Sequence, residues 1–418
     1  MSFESLIRRS GMPLQFTKLE GYYEGTVTLD SLGVSLPPQV RVLEQVAPFP
    51  KFAVDVLAEV LNPEGFTLAS SQQTPDLLRR WWQANNLDTA VKLAIVEALV
   101  QGQSFLIVGP GTGDIPRITA HRRAGMAVEY DHMGEVSAAV RRYKSGGEAF
   151  AAHYLPGETL YYQHVGGDWV EVPGSRVTTG ASRPAVVPLT NKARLGDVNG
   201  RSEILEIATT TDAASRSLTN LQVAQELLAM PTRYVFADGA ESPDSMEKAL
   251  KSYFGHFITG PSDGKAGQIP GADLSQIVNT YKLYAQIISS VTGIPPSMLG
   301  ISTDNPSSAE AMRVAKDRLI ARAEVKQSMF GDPIEDTARL ALEMQGQKVA
   351  GLETLELQWR DPALTSASAK SANILQAHAQ GVVSAQTARD YLQLTPEQKA
   401  REDARGDAVS GMRNQMGA

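Results

Sequence analysis

The chain has 418 residues, 42% of them hydrophobic, and carries 39 basic against 46 acidic side chains for a formal charge of −7, with no cysteine. Such a chain can bury a substantial core, and its length suits roughly two or three domains. The composition excludes disulfides, thiolate catalysis and cysteine-ligated zinc, fits synthesis in a reducing compartment, and argues against a surface that grips duplex phosphates overall. No window approaches the roughly 20 apolar residues of a bilayer span, and Arg8 and Arg9 precede no apolar run, so neither secretion nor membrane insertion is expected.

Val40 to Val60 spaces Val42, Val46, Phe52, Val56 and Val60 as an amphipathic helix that breaks or restarts at Pro48 and Pro50, and Asn62-Pro63-Glu64-Gly65 stops it. Thr74-Pro75-Asp76 opens the next helix, with Thr74 as cap and Pro75 in the first helical position, running to Asn85. A helix from Leu87 to Gln101 then meets Gly102, and Ser104 to Val108 reads as a buried strand. Between Ile118 and Val172 the pattern shortens to strands at 127–130, 138–143, 149–155, 159–164 and 169–172, separated by glycine-rich turns. This predicts an antiparallel meander.

Ser202-Glu203-Ile204-Leu205 begins a helix to about Met230, its apolar positions diluted by Thr209, Thr210 and Thr211. Arg233 to Phe236 reads as a strand, Ser242 to Phe254 as a short helix and Gly264 to Gly271 as a turn region. Leu274 to Thr292 carries Ile277, Val278, Tyr281, Tyr284, Ile288 and Val291 at helical spacing. Next come a rigid break, Gly293-Ile294-Pro295-Pro296-Ser297-Met298-Leu299-Gly300, and a polar stretch from Ile301 to Pro306. A long charged helix from Ala309 to Gln345 follows, with one interruption expected at Gly331-Asp332-Pro333. Leu355 to Trp359 alternates as a strand, and Ser366 onward is helical and polar, with Gly381 to Ser384 between two helices.

Gly109-Pro110-Gly111-Thr112-Gly113-Asp114 follows a strand, so a phosphate loop must be considered. A P-loop needs a lysine followed by serine or threonine at a helix N-terminus, whereas here Ile115-Pro116-Arg117 follows. An ordinary turn is the better reading. The six histidines lack the i, i+4 spacing of a helical metal pair, no Gly-x-Ser-x-Gly elbow occurs, and no metal or catalytic site is expected. Trp81, Trp82, Trp169 and Trp359 fall on separate elements and read as core. On the long helix, Arg318, Arg322 and Lys326 share one face, with Glu310 and Arg313 nearby. Such a charge run suits a solvated face or a neighbouring subunit, with DNA contact the third reading.

Gly293 to Gly300 followed by Ser307-Ser308-Ala309-Glu310-Ala311 and the long charged helix resembles the portal proteins of tailed, long-tailed-type bacteriophages. Ala98 to Phe105, Val187-Pro188-Leu189 before Gly200-Arg201-Ser202-Glu203-Ile204, and Trp359-Arg360-Asp361-Pro362 support the resemblance in their order. It implies an α+β portal fold with an α/β wing, a two-helix stem, a small α/β clip and a helical crown. By position, residues 1–197 and 307–362 are wing, 198–230 and 272–292 the stem helices, 231–271 the clip, 293–306 the tunnel-loop region and 363–418 the crown.

The same resemblance implies a ring, twelve-fold in the family, at one capsid vertex of the virion, assembled in the host cytoplasm. Double-stranded DNA would occupy its channel, with the terminase large subunit, the major capsid protein and a head-tail adaptor as partners and no cofactor. Ser302, Thr303, Asp304, Asn305, Ser307 and Ser308 would line the channel, with Gly293, Pro295, Pro296 and Gly300 as hinge and Glu310, Arg313, Arg318, Arg322 and Lys326 as subunit contacts. The alternatives are a nucleotide-dependent enzyme built around residues 109–114 and another ring-forming head-tail adaptor.

Overall fold

The computed structural model describes residues 3–11, 14–30, 38–71, 73–228, 233–236, 257–260, 266–268, 274–301, 309–363, 367–384 and 388. The chain divides into two units, residues 1–360 and 361–418. In the second, α9 (Ala367–Ala379) ends at Gly381, whose φ of 71° suits a residue without a side chain.

The first unit is organised around one strand and one helix. Helix α5 (Leu87–Gln101) is apolar on most of its circumference, so Val91, Ile95, Ala98 and Leu99 are all buried. It stops at Gly102, where φ is 83°. Strand β2 (Gln103–Thr112) follows at once and pairs with β10 (Val186–Thr190) on one side and β3 (Ile115–Arg122) on the other. Both faces of β2 are covered, which explains its unbroken apolar run. Leu106 and Val108 join the main core, whereas Phe105 and Ile107 face the antiparallel sheet below.

That sheet is the expected meander: β4 (Met126–Tyr130), β5 (Val136–Ser145), β6 (Glu148–Leu155), β7 (Glu158–Val165) and β8 (Asp168–Glu171) pair in sequence order, and the short β9 (Val177–Thr178) also joins β7. Helix α1 (Phe3–Arg9) covers its second face through Leu6 and Ile7, and Phe3 stacks on Tyr162 with ring centroids 3.9 Å apart. Alternation along each strand is therefore muted, because both faces are partly covered.

Helices α2 (Leu14–Glu24), α3 (Phe49–Glu59) and α4 (Gln73–Ala84) pack around α5. The expected restart at the prolines is observed, with Pro48 as N-cap of α3 and Pro50 in its first turn. Helix α4 starts earlier than expected: Thr74 lies inside it, and its N–H is taken by the Ser71 hydroxyl at 3.4 Å. Asn62 to Gly65 is more than a stop, because β1 (Pro63–Thr67) pairs antiparallel with β14 (Glu356–Trp359). Pro63 is tolerated there as the first residue of an edge strand, at a register shift.

Helix α6 (Ala208–Leu228) begins after a 3-10 turn, Glu203–Glu206, that the Ser202 hydroxyl caps by accepting from Ile204 N–H at 3.1 Å. Of the threonines that dilute its apolar pattern, Thr211 begins a buried polar stripe with Ser215 and Thr219, in which Thr219 and Ser215 accept the backbone N–H groups of Gln45 and Ala47 at 3.0 Å each. Helix α7 (Ser275–Thr292) packs along α6. Between them in sequence, β11 (Arg233–Phe236) pairs with β12 (Phe257–Gly260) and β13 (Ala266–Gln268). The helix expected at 242–254 lies outside the described residues.

Helix α8 runs from Ala309 to Met344 with Pro333 inside it, which corrects the expected interruption. A proline in a helix interior costs about 3 kcal/mol. Phe330, Ile334, Leu340 and Leu342 are each at most 2% exposed, and burying such side chains contributes about 1.5–3 kcal/mol apiece. Continuity of the packed face wins. Gly331 also serves this packing, since a Cβ there would stand 3.4 Å from Trp359 Nε1.

Candidate functional site

Helix α7 ends through several bonds that fix one geometry. Gly293, at φ 74°, donates its N–H to Ser289 O at 2.9 Å, and the Ser289 hydroxyl donates to Ile294 O at 2.6 Å. Ile294 is 1% exposed, and a Cβ on Gly293 would meet Arg318 Cγ at 2.9 Å. Pro295 is extended, Pro296–Leu299 forms a 3-10 turn, and Gly300 closes it at φ 76°. The Gly293 end of the break is packed, while nothing lies within 4 Å of where a Gly300 Cβ would be.

Three cations of α8 reach into this junction. Arg318 donates to Ser290 O and Arg322 to Val291 O, the latter at 3.0 Å, so two carbonyls at the negative end of α7 are satisfied by guanidinium groups. Arg322 also bonds Glu203 and lies 3.7 Å from Glu206. Lys326, 7% exposed, lies 2.6 Å from Glu203 Oε1 and donates to Asn191 Oδ1.

Asn191 completes the network from the other side. Its amide nitrogen donates to Arg201 O at 2.7 Å and to Glu203 Oε1 at 2.9 Å, and its backbone N–H reaches Gly102 O at 2.8 Å. The chain can pass here only because two glycines meet: a Cβ on Gly200 would fall 1.8 Å from Gly102 O. Burial pushes the Glu203 carboxyl up, but Lys326 and then Arg322, with hydrogen bonds from Lys326 and Asn191, outweigh it and hold the group below its ordinary value. One buried carboxylate thus ties together the α5–β2 turn, the loop after β10, the turn that opens α6, the end of α7 and the middle of α8.

Of the residues expected at subunit contacts, three make bonds within their own chain. Arg322 and Lys326 direct their charges into their own chain, because Glu203 and Asn191 stand opposite them. Arg318 packs its stem on Gly293. Glu310 and Arg313 belong to the backbone of α8, with side chains outside the described residues, and Ser302, Thr303, Asp304, Asn305, Ser307 and Ser308 lie wholly outside the described residues. Gly293, Pro295, Pro296 and Gly300 form the break itself. Sequence reasoning missed Glu203 and Asn191 as members of a site; the signal was an acidic residue directly before the buried Ile204, at a helix start.

The phosphate-loop alternative fails on geometry. Strand β2 continues through Gly109 to Thr112, pairs Thr112 with Ile115, and turns at Gly113 and Asp114 into β3. No helix N-terminus follows to supply converging N–H groups, and Asp114 is paired with Arg80.

The segments meeting at the junction, 98–105, 200–204 and 293–300, are among those that carry the family resemblance. A family model described as "Phage portal protein, SPP1 Gp6-like" matches residues 15–405. This chain belongs to that portal protein family. Among curated portal-family relatives, the portal protein of Mycobacterium phage D29 is 33% identical over 390 residues, covering 88% of this chain and 80% of its own length. That of Mycobacterium phage L5 is 32% identical over 406 residues, covering 92% and 83%. The portal fold recurs in solved structures: a chain of the virion of a native gene transfer agent particle aligns with a TM-score of 0.50 at 17% identity, over 91% of this chain and 99% of that one. A chain from the neck of the native particle, computed with C12 symmetry, aligns at 0.51 and 16% identity, over 92% and 95%.

Proposed function

We propose that copies of this chain close into a ring of twelve at a unique vertex of a tailed-phage capsid, and that the ring is the channel through which double-stranded DNA is packaged and ejected. The observation that carries this reading is the portal-family match across residues 15–405. The twelve-fold symmetry of the related neck structure supports the copy number. Helices α6 and α7 are the stem in this reading, and β11–β13 between them the clip on which the terminase large subunit and then a head-tail adaptor dock. Residues 1–197 and 307–362 are wing, contacting the major capsid protein, and 363–418 the crown.

Stem exposure agrees with ring closure. Leu283 and Ile287, one turn apart on α7, are 53% and 38% exposed, and a neighbouring subunit supplies cover for such a stripe. Residues 302–308 are the tunnel loop in this reading. With the Gly293 end packed, Gly300 is where the loop pivots. Asp304 and Asn305 present no cation to phosphate, which suits a surface past which DNA slides. Energy for packaging comes from the terminase, and this chain hydrolyses no ATP of its own.

Electron micrographs of purified protein test the central claim. Rings with an axial channel are expected, and compact monomers at high concentration would overturn it. Asp304→Lys is expected to leave rings intact while lowering packaged DNA in a reconstituted system; equal loss of both would show a structural role for the loop.

A further inference from the structure

The loop after β10 is firmly tied and yet turns an apolar side chain into solvent. Two bonds close it at its base: Arg201 donates its N–H to Asn191 O at 2.7 Å, and the Asn191 amide donates to Arg201 O at 2.7 Å. Inside the loop, Asp197 Oδ2 accepts the N–H groups of Ala193 at 3.1 Å and Arg194 at 2.9 Å, and Gly200 N–H donates to Asp197 O at 3.0 Å. From outside, Arg123 donates to Asn199 O at 2.7 Å, and Lys192 N–H reaches Met329 Sδ at 3.1 Å. A compact loop bonded in this way holds its shape without a partner. Leu195 is nevertheless 100% exposed and Val198 51%. Leu195 therefore serves no packing in its own subunit. Beside it, Lys192 and Arg194 are exposed, while the acid of the loop, Asp197, is engaged by the loop's own backbone. The tip is thus apolar and positive.

The same subunit has an open groove of about 560 Å³ between α5 and β3. Its apolar wall includes Ala90, Leu93 and Ala94, and Leu93 is 59% exposed. The charges along it are unevenly spread. Arg117 stands at the end next to the α4–α5 turn, where the Asn85 amide bonds Pro116 O and Ile118 N–H at 2.9 Å each. Arg122 and Glu97 stand at the other end, roughly 16 Å away along β3 at about 3.3 Å per residue. Arg122 is bonded to Glu20 at 2.9 Å. Burial and then Glu20 push the Glu97 carboxyl up, and Glu24 adds to them while Arg122 opposes. His121, pushed down to about 4 by burial and Arg141, brings no charge at neutral pH. Glu97, Glu20 and Glu24 thus face one guanidinium, and this end of the groove is short of cations.

We propose that the tip of the 192–200 loop of one copy seats in the α5–β3 groove of the next copy, with Leu195 against Leu93 and the Arg194 guanidinium on Glu97. The inference rests on the ring reading. Leu93 and Glu97 lie one helical turn apart, about 6 Å, a distance that two neighbouring residues at a loop tip can span. Apolar side chain meets apolar wall, and the uncompensated acid gains the cation it lacks. Knob and groove are different surfaces, and both stand open on a single subunit. A contact of this kind repeats from copy to copy and closes when the rotation between copies allows.

Because the chain has no cysteine, disulfide trapping has a clean background. Rings mixed from Leu195→Cys and Leu93→Cys subunits should give a crosslinked dimer on oxidation, and rings of the double variant a ladder of multimers that reductant collapses. A link confined within single chains, or intact rings with no link, would overturn this contact while leaving the ring. Absence of rings from the unmodified chain would instead remove the ring reading. Charge reversal tests the polar half: Arg194→Glu and Glu97→Lys should each raise the subunit concentration at half assembly at least about ten-fold, and the two together should restore it. Loss in both single variants without restoration would overturn the pairing. If a groove variant misfolds, Leu195→Cys alone decides, since its side chain touches no core. Maleimide should label it at least about ten-fold more slowly in rings than in dissociated subunits, and equal rates would sink the proposal.

Discussion

Glu203 at the junction and His153 in the meander are both buried ionisable groups, and the chain treats them in opposite ways. Glu203 is charged inside the protein because two cations and an amide, from segments as far as 135 residues apart, converge on it and on Asn191. His153 is 8% exposed, has no partner on Nδ1, and lies with its ring 5.3 Å from Phe3. Burial lowers its pKa, so the folded state keeps it neutral. A locally folded sheet can accept an aromatic ring at low cost, whereas a buried charge demands that distant parts of the chain arrive together.

Breaking the junction should have the largest effect. Lys326→Met leaves Glu203 short of one of its two bonded cations and should cost about 3 kcal/mol, measured by urea unfolding, while Lys144→Met on the exposed side of the meander should stay within about 0.5 kcal/mol. Similar losses at both sites would erase the contrast. Gly200→Ala comes next: with φ at 77° and Gly102 O in the way, a loss of at least about 2 kcal/mol is expected, against near-neutral behaviour for Gly196→Ala, where nothing lies within 4 Å.

The pH dependence sharpens the comparison at smaller amplitude. A carboxylate held below its ordinary 4.5 contributes stability that is present above that value and lost as pH falls through the folded pKa. The stability gap between the native chain and Glu203→Gln should therefore narrow only below about pH 4.5. A histidine held below 6.5 acts in a higher window: stability falls as pH drops below 6.5, when the unfolded chain takes up the proton first. His153→Phe should flatten the slope just below pH 6.5, and an unchanged slope would show that other groups set it. Smallest of all, Arg318→Ala should cost about 0.3–1 kcal/mol through the end of α7, readable as a slight lowering of the melting temperature.

Much of the architecture was legible locally. The meander announced itself through glycine turns at regular spacing, α5 through its apolar run before Gly102, and α7 through its stripe up to Gly293. The elements that were missed depend on partners far away. Strand β1 exists because β14 lies beside it, and β10 because β2 does; neither Pro63-Glu64-Gly65 nor Val186 to Thr190 has a period long enough to declare itself. Pro333 signalled a break by its own chemistry, and the buried face of α8 overrode it. At the site, the two glycines that bound the break were readable from residue type, but the direction of Arg322 and Lys326 was not, because their i, i+4 spacing fits a solvated face as well as a buried one.

By itself the sequence determined the family, the order of the elements and the rigid break at Gly293 to Gly300, since these depend on residue type, local period and backbone preference. Only the tertiary structure decided that the cations of α8 turn inward, that Gly102 and Gly200 meet, and that Glu203 holds five segments together. The physical reason is that a charge is placed by its counter-charge. Glu203 and Lys326 are 123 residues apart in the chain, and no local pattern encodes their meeting.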